Sequence, residues 1–322
     1  MAARHLRDLI AAYGEQDDLK FRRAAQAIIH EEESKRHTVV AKELRQLLAG
    51  AGSIVVNDTP ALPQPPVDRD SSLPLAQVSY PSSYLSDLVL ADRPRSALAG
   101  LVHEVRHWPQ LDTAGLPRRN RVMLYGPPGC GKTSAVSSLS KELGWPLVTA
   151  RVEGLISSYL GETASNLRNL FDFVASGPFV LFLDEFDSLG KMRDDPSDHG
   201  ELRRVVNAVL QQIDAYAGPS IIVAATNHPQ VLDTALWRRF DLIVEMPLPS
   251  TDELGDVLRR SLLWGPKQPV ADAAEALAGL PHAAAEYAAN AARRTAVLDG
   301  RAQASEGDLV VAVQDAQSRP WA

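Results

Sequence analysis

The chain has 322 residues, 45% of them apolar and 23% charged, with a formal net charge of −7. That length holds two or three structural units with ample core, and the acidic balance argues against a general polyanion-binding surface, so nucleic acid is not the expected partner. The longest apolar runs fall far short of a membrane span, Met1 is followed by no signal-peptide core, and a single cysteine excludes an intrachain disulfide framework; these fit a soluble protein of the reducing cytoplasm.

Residues 1–50 read as a small N-terminal helical region. Leu6, Leu9, Ile10 and Tyr13 share one face, Phe21, Ala24, Ala25, Ile28 and Ile29 repeat the pattern, and Val39, Val40, Leu44, Leu47 and Leu48 form a third. The dense mixed charges between them suit either a partner-docking module or oligomer packing. Residues 51–83 carry Pro60, Pro63, Pro65, Pro66, Pro74 and Pro81 among small polar residues, the composition of an extended or disordered linker.

An α/β pattern starts at Tyr84. A helical stretch from Arg95 to Trp108 precedes strand candidates at 121–125, 147–152, 179–184, 220–225 and 241–246, most of them separated by helical patterns. Such alternation predicts a mostly parallel sheet with helices on both faces, over residues 84–249. After Pro247-Leu-Pro249 the strands stop. Helices are expected at 252–264, 271–279, 282–298 and 306–316, so 250–322 reads as a separate helical lid subdomain.

Two motifs carry the chemistry. The apolar run Arg121–Tyr125 leads directly into Gly126-Pro127-Pro128-Gly129-Cys130-Gly131-Lys132-Thr133, which fits the G-x-x-x-x-G-K-[ST] phosphate loop. Glycines at 126, 129 and 131 let successive N–H groups turn inward on phosphate oxygens, and the following helix, stopped by Gly144, adds its positive end. Lys132 then reaches the β- and γ-phosphates, and Thr133 is a Mg²⁺ ligand. Cys130, among backbone amides and beside Lys132, is expected to have a lowered pKa. The second motif is Phe179-Val-Leu-Phe-Leu-Asp184-Glu185-Phe-Asp187, a strand delivering two carboxylates to the phosphate edge of the sheet. Asp184 suits Mg²⁺ and Glu185 suits activation of the attacking water. Together they read as a nucleoside triphosphatase, and Leu85–Leu90 as the segment against the base.

With these motifs in order, residues 84–300 resemble the AAA proteins within the wider AAA+ ATPases, most of all bacterial single-module members of the branch that holds katanin and spastin. The resemblance implies an AAA+ P-loop module with a helical lid, ATP and Mg²⁺ as cofactors, and a homohexameric ring. Ser157-Ser-Tyr159-Leu160-Gly161-Glu162 is similar to the family's first pore loop, in which Tyr159 would line the central channel, with Leu160 and Gly161 completing the motif. Asn227, closing the run Ile221–Asn227, matches the position that orients the lytic water. Arg238 and Arg239 match the arginine fingers that reach a neighbouring subunit's γ-phosphate. Residues 193–200 sit where a second pore loop would be. The lid shows no securely placed sensor arginine, and His282, where the family has a small residue, is expected only to pack or face solvent.

The resulting expectation is a Mg²⁺-dependent ATPase ring that threads or remodels a protein. The alternative is a nucleotide-dependent binding module controlling one dedicated partner enzyme, with a subtilisin-like protease suggested by resemblance alone.

Overall fold

A computed structural model of the chain describes Ile28, which is helical, and residues 62–68, 71–151, 160–187, 208–232, 234–265 and 268–321. The rest of the expected N-terminal helices, Tyr159 and the 193–200 segment lie outside the described residues. The chain divides into two units, Met1–Ala61 and Leu62–Ala322. The sheet, its covering helices and the C-terminal lid all belong to the second.

Six strands form one sheet in the order β1-β3-β4-β5-β2-β6: β1 Ala76–Ser79, β2 Arg121–Tyr125, β3 Leu147–Ala150, β4 Val180–Leu183, β5 Ile221–Thr226 and β6 Leu242–Glu245. All pairings are parallel except that of β1 with β3. The central strands β4 and β5 are buried at every residue, which is why VLFL and IIVAAT are continuous apolar runs rather than alternating ones. Successive residues serve opposite faces. Met123, Leu181 and Leu183 join a core with Leu167, Leu170 and Phe171 of helix α4 (Leu160–Ala175). Val122, Leu124, Val180 and Phe182 join another with Leu98, Leu101 and Val102 of α1 (Asp92–Arg106) and Val136 and Leu139 of α3 (Lys132–Leu143). Each such Leu or Val, fully buried, contributes roughly 1.5–3 kcal/mol. A short helix α2 (Trp108–Thr113) follows α1, and α5 (Thr234–Trp237) precedes β6.

The lid has its own core. Helices α6 (Thr251–Leu262), α7 (Ala271–Ala276), α8 (His282–Leu298) and α9 (Glu306–Ser318) pack around Ala284, Ala285, Ala288, Ala289 and Ala292 of α8, all fully buried. That alanine stripe brings the backbones of α6 and α9 close to α8, so a leucine at Ala288 would overpack the site at a cost of about 1–3 kcal/mol. Both α6 and α9 begin with a reciprocal cap: Ser250 with Glu253, and Ser305 with Asp308.

One expectation fails. The stretch 51–83 is not linker throughout, because β1 pairs Ala76 with Ala150 and Ser79 with Leu147. Leu75 is fully buried, and the buried Asp68 carboxylate accepts hydrogen bonds from Asn166 Nδ2 at 2.8 Å and Ser71 N at 2.9 Å. Prolines flank this strand instead of interrupting it, and the edge of a sheet is where they are tolerated.

Candidate functional site

Because β4, β5 and β2 are adjacent and parallel, their C-terminal ends open on one edge of the sheet, where ligands of open α/β sheets bind. A cleft of about 530 Å³ lies there between the sheet edge and the lid. From β2 and the following turn it takes Pro128, Gly129, Gly131, Lys132 and Thr133; from the end of β4, Asp184 and Glu185; and from the end of β5, Asn227. Widely spaced sequence motifs thus converge in one place. Leu88, Val89 and Leu90 form one apolar wall, and Val257 of the lid adds another apolar contact. A cleft lined by a glycine-rich turn, a buried lysine, two carboxylates and an apolar wall has the chemistry to take a nucleoside polyphosphate.

The phosphate loop is already folded. Gly126, Gly129 and Gly131 all have positive φ. A Cβ on Gly126 would lie 2.0 Å from the carbonyl oxygen of Met246, so only glycine fits between β2 and β6. Lys132 is buried, and its ammonium donates to the carbonyls of Gly126 at 2.7 Å and Pro127 at 2.8 Å. Burial lowers its pKa, with Cys130, Asp184 and Asp187 opposing. Thr133 Oγ1 donates to Asp184 Oδ2 at 3.1 Å, which places two hard oxygen ligands side by side. Among the described residues no cluster of three or more His, Cys, Asp or Glu side chains is arranged to hold a metal ion. Protein oxygens so few suit Mg²⁺, which keeps waters and phosphate oxygens in its shell.

Glu185 has a left-handed backbone, with φ of 49°, a conformation that costs a non-glycine residue about 1–3 kcal/mol. Two hydrogen bonds hold it there: Glu185 N donates to Asp184 Oδ1 at 2.9 Å, and Phe186 N to Ala225 O at 2.8 Å. Asp187, to which the sequence motif assigns no role, braces Asn227. Its buried carboxylate accepts from Thr226 Oγ1 at 3.0 Å and from Asn227 N at 3.3 Å.

The expectation for the thiol changes. Cys130 is 1% exposed and its Sγ faces Pro128 O at 3.8 Å. Burial raises the thiol pKa more than Lys132 lowers it, so the expected thiolate character is reversed. Leu160 and Gly161 are the first two residues of helix α4. Arg238 and Arg239 lie outside the cleft. Arg239 is ion-paired with Asp214, whereas Arg238 is exposed and has no ion pair or hydrogen bond with the described residues. Lid residues add to the site beyond what the motifs indicate. Arg260 lines the cleft and donates to the carbonyls of Asp87 at 2.8 Å and Ser86 at 3.3 Å, tying α6 to the segment that precedes the apolar wall. His282 lines it too, against the expectation of a packing or solvent-facing role.

Comparison with known proteins agrees with this geometry. Residues 122–248 match the family described as "ATPase family associated with various cellular activities (AAA)". The chain is 37% identical over 317 residues, 98% of its length and 95% of the relative's, to an uncharacterized AAA family ATPase, y4kL, of Sinorhizobium fredii. It is 31% identical over 280 residues to the ATP-dependent zinc metalloprotease FtsH 3 of Sphaerobacter thermophilus, covering 84% of this chain and 57% of that protein. A proteasome-activating nucleotidase of Thermococcus onnurineus is 31% identical over 203 residues, 60% of this chain and 51% of its own.

Proposed function

We propose, from the premise that this chain belongs to the AAA family of ATPases and is an ATP-hydrolysing enzyme, that it acts as a ring-shaped homo-oligomer, a hexamer, whose ATP turnover remodels or threads a protein substrate in the cytoplasm. One observation carries the reading: a phosphate loop, two carboxylates and an asparagine share a cleft, while Arg238 stands outside it, exposed and without a described partner. The cation that the chain's own finger segment does not bring to this cleft would come from a neighbouring copy.

The amides from Gly129 to Thr133 cradle the phosphates, and Lys132 trades the carbonyls of Gly126 and Pro127 for phosphate oxygens. Thr133 and Asp184 would hold Mg²⁺, which when bound would offset charge on the phosphates. Glu185 accepts a proton from the attacking water, Asn227 orients that water, and Asp187 keeps Asn227 in place. Arg238 of one subunit stabilises the charge developing on its neighbour's phosphoryl group. Arg239, held by Asp214, positions the finger segment. Tyr159 grips the polypeptide. A protein substrate is favoured by relatives named for a protease and for proteasome activation, and by an acidic chain that suits nucleic acid poorly. Among the described residues no helix is long and apolar enough to cross a membrane.

The test mixes two inactive variants. Glu185→Gln subunits retain the finger, and Arg238→Ala subunits retain the base, so mixed rings should recover part of the turnover. Mixtures no more active than their components would overturn the assignment across subunits.

A further inference from the structure

His282 is the first residue of α8, directly after Pro281. Its place against the phosphate loop is fixed by its neighbour, since Ala283 N donates to Gly129 O at 3.1 Å. His282 lines the cleft together with Leu90 and the lid residues Val257, Arg260 and Ser261. Both ring nitrogens are shielded from solvent, and neither has a hydrogen-bond partner. Leaving buried polar atoms unpaired costs about 1–3 kcal/mol. Among the described residues, the other side chains with orphaned polar atoms, Trp108, Arg121, Ser138, Arg259 and Trp264, do not line the cleft. His282 does, and a turn of its ring would bring one of the shielded nitrogens to a ligand in the cleft.

Burial pushes the imidazole pKa below its ordinary value, against the opposing charge of Glu253. The neutral ring offers one donor and one acceptor. That pair suits a base edge or a sugar hydroxyl, each of which can donate or accept; a phosphate calls for donors or a cation.

We propose that His282 is a nucleotide-recognition residue that hydrogen-bonds the nucleoside half of the bound ATP and so ties lid position to an occupied base site. The proposal rests on ATP binding in this cleft. The test measures binding of ATP, 2′-deoxy-ATP and inorganic triphosphate by calorimetry in a Glu185→Gln background, for His282 and for its Ala and Asn variants. Losing one or two hydrogen bonds should weaken ATP binding by roughly three- to tenfold in His282→Ala, with triphosphate affinity unchanged. His282→Asn, which keeps a donor and an acceptor, should retain most of the affinity and serves as the folded reference if the alanine variant is unstable. Equal loss for ATP and triphosphate, no loss at all, tighter ATP binding in the alanine variant, or an asparagine variant as weak as alanine would each overturn the proposal. A smaller effect of His282→Ala on 2′-deoxy-ATP than on ATP assigns the contact to the ribose 2′-hydroxyl, and an equal effect assigns it to the rest of the nucleoside. Should the His282 protein bind neither ATP nor triphosphate, the ATPase site itself would be wrong and the proposal would fall with it.

Discussion

Gly129 is where the lid rests on the phosphate loop, and the consequence can be weighed. A Cβ there would lie 2.9 Å from Ala283 Cβ and 3.2 Å from Pro281 Cβ, at a φ of 71°. Gly131, at a φ of 83°, has open space around the same added atom. Gly131→Ala therefore meets only the left-handed backbone penalty, about 1–2 kcal/mol. Gly129→Ala meets that penalty and overpacking of about 1–3 kcal/mol, because proline and the start of a helix give way poorly. Urea denaturation of the nucleotide-free chain should place Gly129→Ala about 1–3 kcal/mol below Gly131→Ala. Combining Gly129→Ala with Ala283→Gly removes the nearer of the two clashes, so the pair should couple by more than about 0.5 kcal/mol. Equal stability of the two glycine variants, or strict additivity of the double variant, would refute the contact between loop and lid.

The remaining expectations concern the cleft and its surroundings. Glu185→Gln should bind ATP and lose turnover by about 10²–10⁴-fold, whereas Lys132→Ala should lose binding as well; equilibrium binding and phosphate release separate the two, and near-normal turnover in Glu185→Gln would remove it from the mechanism. Arg238→Ala should lower turnover by about 10³–10⁵-fold. Arg239→Ala, which breaks a partly exposed ion pair with Asp214, should cost no more than about 1 kcal/mol of stability and lower turnover far less than Arg238→Ala; the reverse ranking in steady-state assays would transfer the finger role to Arg239. Cys130 should be alkylated more slowly in the native chain than in urea, and its rate should rise with pH only above the ordinary thiol range, because burial favours the neutral thiol. Equal native and unfolded rates would contradict that burial.

Much of the nucleotide site is legible in the sequence because its chemistry sits in short contiguous motifs. The run 121–133 contains a strand, a turn and a helix start, and each declares itself by residue type. The strand expected at 220–225 forms at Ile221–Thr226, and the helix expected at 282–298 forms over that same range, since a continuous β-branched apolar run suits a buried strand and an alanine-rich stretch favours helix. What escapes a sequence reading depends on distant partners. β1 is four residues long among prolines and is defined by its pairing with β3. Arg260 is one of two adjacent arginines on α6, and its carbonyl partners lie more than 170 residues away in sequence. The brace from Asp187 to Asn227 links two loops separated by 40 residues. For Cys130, proximity to Lys132 is visible in sequence, whereas the burial that outweighs it is not.

The central claim, that hydrolysis does mechanical work on protein, is tested most directly by following ATP turnover and loss of fluorescence of a folded reporter with an unstructured tail in the same reaction. Wild type should unfold the reporter only with ATP. Glu185→Gln should do neither, and Tyr159→Ala should hydrolyse ATP yet leave the reporter folded. Unfolding by Tyr159→Ala at the wild-type rate, or ATP turnover by wild type that leaves the reporter intact, would contradict the threading account and favour a nucleotide-controlled binding switch.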